Sequence, residues 1–171
     1  MENNGKLKIG EIVFYPQVGL GKIDDLMLED VDGAKKEAYV ISFLDNNSKA
    51  FVPIDSANIM NVRKLMEKPA VTKIFDFLEN GKIKVEKDWK KRHKLHNELF
   101  ITGAPEDLAL ILKNLCWLDK KKGLTKNERK FMDKVNYLLS MEIATVLNKD
   151  IEHIKTEIKQ KIEKNIGEIK N

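Results

Sequence analysis

Apolar and polar positions alternate at the start of the chain. Leu7-Lys8-Ile9-Gly10-Glu11 alternates, Ile12-Val13-Phe14-Tyr15 runs apolar, and Pro16 ends the stretch. Val18-Gly19-Leu20-Gly21-Lys22-Ile23 follows, with glycines where a tight bend or bulge would sit. Asp32-Gly33 is a hairpin dipeptide, because both residue types tolerate the positive φ that a two-residue loop demands. Beyond it, Ala38-Tyr39-Val40-Ile41-Ser42-Phe43-Leu44 is rich in β-branched and aromatic residues. Asp45-Asn46-Asn47-Ser48 predicts a second turn, and Lys49-Ala50-Phe51-Val52-Pro53-Ile54 a last strand. Short strands at this spacing predict a small all-β barrel or curled sheet. Pro53 has no N–H to give a ladder, which places its strand at an edge.

From about Pro69 the period becomes helical. Ile74, Phe77 and Leu78 mark a short amphipathic helix that stops at Asn80-Gly81. A second helix is predicted over residues 88–100, with Leu95 and Leu99 as its apolar anchors. Thr102-Gly103-Ala104-Pro105 breaks the chain and restarts it, with Pro105 suited to a first helical turn. Leu108, Leu112, Leu115 and Leu118 form the stripe of a third helix, which ends at Lys122-Gly123-Leu124. Thr125-Lys126-Asn127-Glu128 is a capping box, and Phe131, Val135, Leu138, Leu139, Glu142 and Ile143 continue a long helix from it. The tail repeats isoleucine at 151, 154, 158, 162, 166 and 169. That is one helical stripe, able to pack on its own domain or to serve as a partner helix. The fold class predicted is α+β: a small β domain over residues 1–66, then an all-α domain over 67–171 with an amphipathic tail helix from about 150.

Charge sharpens this division. Residues 1–66 hold eight basic and ten acidic side chains, whereas 67–171 hold 23 and 17. The halves are therefore expected to meet different partners, and the basic half favours a polyanion through steering and counterion release. No apolar run approaches the roughly 18 residues needed to span a bilayer. The polar start, Met1 to Lys8, lacks the apolar core of a secretory signal. A lone cysteine, Cys116, makes neither an internal disulfide nor a zinc cluster. A cytoplasmic protein without membrane contact is expected, and a monomer.

Lys87-Asp88-Trp89-Lys90-Lys91-Arg92-His93-Lys94 is the most informative segment, with five basic residues, one acid and a tryptophan in eight positions. At about 100° per residue, Trp89 lies roughly 100° from the middle of the Leu95–Leu99 pair. Lys90 and Lys94 lie further round and Arg92 near the core edge. A large aromatic off the core stripe and among cations suits contact with an unstacked base. It suits equally a half-buried cap at the boundary between the domains.

Other constellations carry less chemistry. Gly19-Leu20-Gly21 lacks the third glycine and following helix of a phosphate loop. His93 and His96 are three apart, but the surrounding lysines disfavour a cation there, and both read as surface histidines. Cys116, between Leu115 and Trp117-Leu118, reads as a small core residue. No pair of carboxylates is set apart for acid–base work and no nucleophile has a distinctive base beside it, so no enzyme, metal or cofactor is predicted.

The order of certain motifs resembles a known family, the CarD/CdnL transcription regulators of bacteria. These are Ile9-Gly10-Glu11-Ile12-Val13-Phe14-Tyr15-Pro16 and Gly19-Leu20-Gly21-Lys22-Ile23, then Tyr39-Val40-Ile41, Val52-Pro53-Ile54 and Asn61-Val62-Arg63. Trp89-Lys90-Lys91-Arg92, Thr102-Gly103 and Leu124-Thr125-Lys126-Asn127-Glu128-Arg129-Lys130 follow, so the likeness spans roughly residues 7–147. The opening module also occurs in transcription-repair coupling factors, whose helicase motor has no room in this chain.

The resemblance implies a Tudor-like β domain that docks on the β subunit of RNA polymerase through an exposed strand, here Lys49, Phe51, Val52 and Pro53, with Glu29 and Val31 on a neighbouring face. It implies a helical domain at the upstream edge of the melted promoter, where Trp89 wedges into the minor groove and Lys90, Lys91, Arg92 and Lys94 hold phosphates. The expected function is stabilisation of the open promoter complex. A stand-alone DNA-binding architectural protein and a protein-interaction adaptor are the alternatives. Glu29 and Phe51 stand where some relatives carry basic residues, which suggests a docking face that is more apolar or matched to a differently charged polymerase face. Lys91 stands where arginine is common, keeping the charge but losing the bidentate fork.

Overall fold

A computed structural model describes residues 7–168, apart from the side chains of Glu29, Val31 and Glu168, so Ile169 of the tail stripe lies outside the described residues. The chain divides into two compact units, residues 1–65 and 66–171.

In the first unit β1 (Ile12–Tyr15), β2 (Gly19–Val31), β3 (Ala34–Phe43), β4 (Lys49–Pro53) and β5 (Arg63–Lys64) form one antiparallel sheet in the order β4-β3-β2-β1-β5. A single helical turn, α1 (Ile54–Ala57), follows β4. Val13, Ile23, Tyr39, Ile41, Phe43, Val52, Ala57 and Val62 make the core. Gly21 lies between Val13 of β1 and Phe43 of β3, and a Cβ there would collide with the Ile41 side chain. This glycine therefore serves close strand packing and not a phosphate. The turn at Asp32-Gly33 has positive φ at both residues, 56° and 80°, and Asp30 Oδ1 accepts from the Gly33 N–H at 2.8 Å.

Two features depart from expectation. The irregularity in β2 falls between Ile23 and Asp25, not at the glycines, and leaves Asp24 free to bond Ser42 and face Lys49. β2 and β3 also extend well past their apolar cores into an exposed two-stranded arm over residues 24–37, which carries Leu26, Met27 and Leu28 on its surface.

The second unit holds α2 (Lys68–Asn80), α3 (Trp89–Thr102), α4 (Pro105–Lys122), α5 (Lys126–Leu147) and α6 (Ile151–Glu168). Met66 belongs with it, because its backbone N–H donates to the buried Glu142 Oε1 at 2.8 Å. Pro105 opens α4, and the Thr125–Glu128 capping box opens α5 with both reciprocal bonds made. Gly103 and Asn148 close α3 and α5 in the left-handed conformation.

The tail helix packs on its own unit. Ile154, Ile158, Ile162 and Ile166 are buried, and α6 lies against α2 and α5. Lys161 and Lys164 pair with Glu79 at the end of α2, and Asn165 donates to the Glu79 carbonyl at 2.7 Å. Lys113 of α4 is fully buried and donates to the Phe77 and Gly81 carbonyls at 2.5 and 2.6 Å. The last carbonyls of α2 are thus satisfied by side chains of α4 and α6. Burial lowers the Lys113 pKa to about 8, so the ammonium still donates at neutral pH.

Candidate functional site

The α3 segment begins where Asp88 can cap it. Its carboxylate accepts from the Lys91 N–H at 3.0 Å and fixes Trp89 as the first helical residue. The helix then buries Arg92, His96 and Phe100, one every four residues, while Leu95 is 41% exposed and Leu99 only half-buried. This corrects the expected face: Leu95 and Leu99 are not its anchors, and His96 is no surface histidine. Phe100 meets Phe131 of α5 edge to face, with centroids 5.1 Å apart.

Trp89 lies within about 30° of the middle of this buried face, closer than the sequence implied. It is nonetheless 63% exposed, because it stands at the first turn, past the cover of neighbouring helices. Lys90, Lys91 and Lys94 are exposed on the other side. Lys90 Nζ sits 5.7 Å from the Trp89 ring centroid, and Lys94 faces Glu98 one turn on, at 3.8 Å. Aromatic edge and cationic flank therefore share the helix start.

Arg92 does not belong with them. It is 4% exposed, and its guanidinium donates to the Glu86 carbonyl at 2.9 Å, the Lys87 carbonyl at 3.4 Å and Glu128 Oε1 at 3.5 Å. A group so enclosed has no face left for a phosphate. It ties the loop before α3 to the capping residue of α5, and so holds Trp89 in place. Glu128 is correspondingly acidic: despite a desolvation penalty, its bonds to Thr125 and Arg92 lower its pKa.

Beneath Trp89 lies a cavity of about 540 Å³, walled by α3, the end of α4 and the start of α5. Trp89, His93, His96, Asn97, Asn127 and Phe131 line it with others. His96 is one of the lining residues, and its Nε2 is buried without a hydrogen-bond partner among the described residues. Burial first, then the nearby Arg92 and His93, lower the His96 pKa to about 4, which leaves the ring neutral at physiological pH. Sequence reasoning missed this cavity. The signal lay in Arg92, His96 and Phe100 at four-residue spacing, which is a helical face even though two members are polar.

In the β unit, β4 is an edge strand among the described residues, pairing with β3 alone. Lys49 and Phe51 are exposed, Pro53 is half-buried, and Val52 points into the core at 1% exposure. Val52 therefore has its backbone, and not its side chain, at this edge. Register puts Met27, 50% exposed, on the same face as Phe51 and Pro53, a residue the sequence reading passed over. Glu29 and Val31 pair through the backbone with Lys36 and Ala34, and their side chains lie outside the described residues.

Cys116 is half-buried in a groove between α4, α5 and α6, where burial pushes its thiol up to about 12. Among the described residues, no three His, Cys, Asp or Glu side chains gather as metal ligands. No described helix is long and apolar enough to cross a membrane.

A small antiparallel β unit with an open edge, followed by a helical unit that presents an exposed tryptophan among lysines, is a two-part arrangement that two family models match, and those models make the chain a regulator of transcription. Residues 7–66 match the family described as "CarD-like/TRCF RID domain", and residues 73–159 match "CarD, C-terminal domain". The chain belongs to the CarD family, and its β unit is Tudor-like. It is 24% identical over 139 residues to the Bacillus subtilis (strain 168) protein described as "Putative transcription factor YdeB", which covers 81% of this chain and 91% of that protein.

Proposed function

We propose that the chain docks on the β subunit of bacterial RNA polymerase through the β4 edge and stabilises the open promoter complex by placing Trp89 at the upstream fork of the bubble. The observation that carries this reading is the exposed Trp89 at the start of α3 with Lys90, Lys91 and Lys94 exposed around it. An aromatic wedge gains more from a distorted fork than from intact duplex, so it favours the open state by the difference. Stacking of one base on an aromatic is worth about 1–3 kcal/mol, and about 1.4 kcal/mol shifts an equilibrium tenfold. The lysines hold flanking phosphates, and Arg92 acts behind them by fixing the helix start. Tethering to polymerase raises the local concentration, so a weak intrinsic affinity for DNA suffices. The protein works in the cytoplasm as a monomer.

The test is the lifetime of open complexes formed by the cognate polymerase. Wild type is expected to lengthen it, and folded Trp89→Ala to lose about tenfold of that gain. An unchanged lifetime with both proteins sinks the wedge and leaves an adaptor or a stand-alone DNA binder. On the polymerase side, Phe51→Asp puts a charge on the exposed face of β4 and is expected to weaken binding to the polymerase β subunit about tenfold, as loss of one apolar anchor would. Undiminished binding in a pull-down titration would move the docking surface elsewhere.

A further inference from the structure

We propose that the cavity under Trp89 receives one unpaired base of the promoter, so that the helical unit captures a nucleotide rather than merely wedging the fork apart. This rests on the reading above and deepens it. The cavity has what a neutral planar heterocycle needs. Trp89 and Phe131 offer aromatic surface, and the Asn97 and Asn127 amides offer donors and acceptors. His96, a lining residue only 4% exposed, carries a buried Nε2 with no hydrogen-bond partner among the described residues. A polar atom in that state costs free energy until something bonds it, so the site is better completed by a ligand than left alone.

The chemistry also narrows the ligand. Arg92, Glu128 and Lys122 line the cavity; Arg92 and Glu128 offset each other as an ion pair, and Lys122 then disfavours a cation. Arg92 is already engaged by two carbonyls and Glu128, which leaves it no fork for an anion. A base inside, with its backbone running out past Lys90, Lys91 and Lys94, satisfies both the neutral interior and the cationic rim. At about 540 Å³ the cavity has room for a base and part of its sugar. An unpaired base at the fork is also the cheapest to extrude, since its pairing energy has already been lost.

The experiment measures open-complex lifetimes with the full chain and cognate polymerase, on promoters carrying a single abasic residue at each position of the upstream fork in turn. One position is expected to matter. There the abasic residue shortens the lifetime about tenfold or more, because stacking and hydrogen bond are lost together. His96→Leu is expected to shorten it on intact DNA about fivefold, the worth of one neutral hydrogen bond, and the two changes together are expected to cost no more than the abasic residue alone. Asn127→Ala, at an exposed lining position, repeats the coupling test where His96→Leu folds poorly. If Trp89→Ala shortens the lifetime while no abasic position couples to His96, the wedge stands and the base pocket is wrong. If His96→Leu shortens it equally on every DNA, the cavity takes a polymerase side chain and the proposal is overturned. If Trp89→Ala has no effect either, the underlying function is wrong as well. Free nucleoside monophosphates at millimolar concentration are expected to leave the lifetime unchanged, and competition by them would reassign the cavity to a soluble nucleotide.

Discussion

Arg92→Ala is expected to destabilise the helical unit by about 3 kcal/mol, a larger loss than any of its lysine neighbours would cause. Arg92 is almost wholly enclosed and closes three contacts at once: two carbonyls of the loop before α3 and the Glu128 carboxylate. Alanine leaves the carbonyls without these donors and removes the stem that fills the space between loop and helix. Glu128 keeps its bonds to Thr125, so the α5 cap survives and the damage centres on the start of α3. In thermal unfolding, the transition of a unit of this size falls on the order of 10 °C. Arg92→Lys recovers only part of this, because an ammonium cannot span the same acceptors with a planar fork. Lys91→Ala, at an exposed position, is expected to change stability by less than about 0.5 kcal/mol while still weakening promoter engagement. Unchanged stability in Arg92→Ala, with promoter engagement lost, would restore Arg92 to the phosphate-contacting set.

This contrast shows where the sequence is legible. Elements that announce themselves through local chemistry are found where expected. Asp32-Gly33 turns the hairpin, Thr125 and Glu128 open α5, Pro53 lies on an edge strand, and Ile154, Ile158, Ile162 and Ile166 pack as one stripe. What misleads is a face chosen by tertiary context. In α3 the leucines are the obvious anchors, yet the helix turns Arg92, His96 and Phe100 inward because α5 presents Glu128 and Phe131 to that side. A hydrophobic count cannot see an arginine that is buried for the carbonyls it satisfies. β5 was hidden because two residues carry no period, and the β2–β3 arm because Leu26-Met27-Leu28 runs together without the alternation of a strand and lies among charged residues. Of the tryptophan segment, the lysine flank could be read in advance, the exposure of Trp89 was one of two readings the residues left open, and the cavity beneath could not be seen, since its walls come from three helices.

That cavity also makes stability depend on acid. His96 titrates at about 4 in the folded protein against an ordinary 6.5, through burial and then the nearby positive groups, with Glu128 partly offsetting them. Above pH 6.5 the ring is neutral in both the folded and the unfolded chain and contributes no pH dependence. Between 6.5 and 4 the unfolded chain binds a proton that the folded one refuses, so stability falls with falling pH. At about 1.4 kcal/mol for each pH unit, the full loss approaches about 3 kcal/mol. The carboxylates Glu11, Glu79 and Glu128 have lowered pKa values too, but their stabilisation is lost only below their ordinary 4.5. The interval from pH 6.5 to 4.5 therefore isolates the histidine. Urea unfolding across it is expected to show a falling midpoint in wild type and a nearly flat one in His96→Leu. Equal slopes in the two proteins would mean that the folded protein does not hold His96 neutral across this interval, so its ring is not desolvated as its burial implies, and the case for a base completing the cavity would lose its main support.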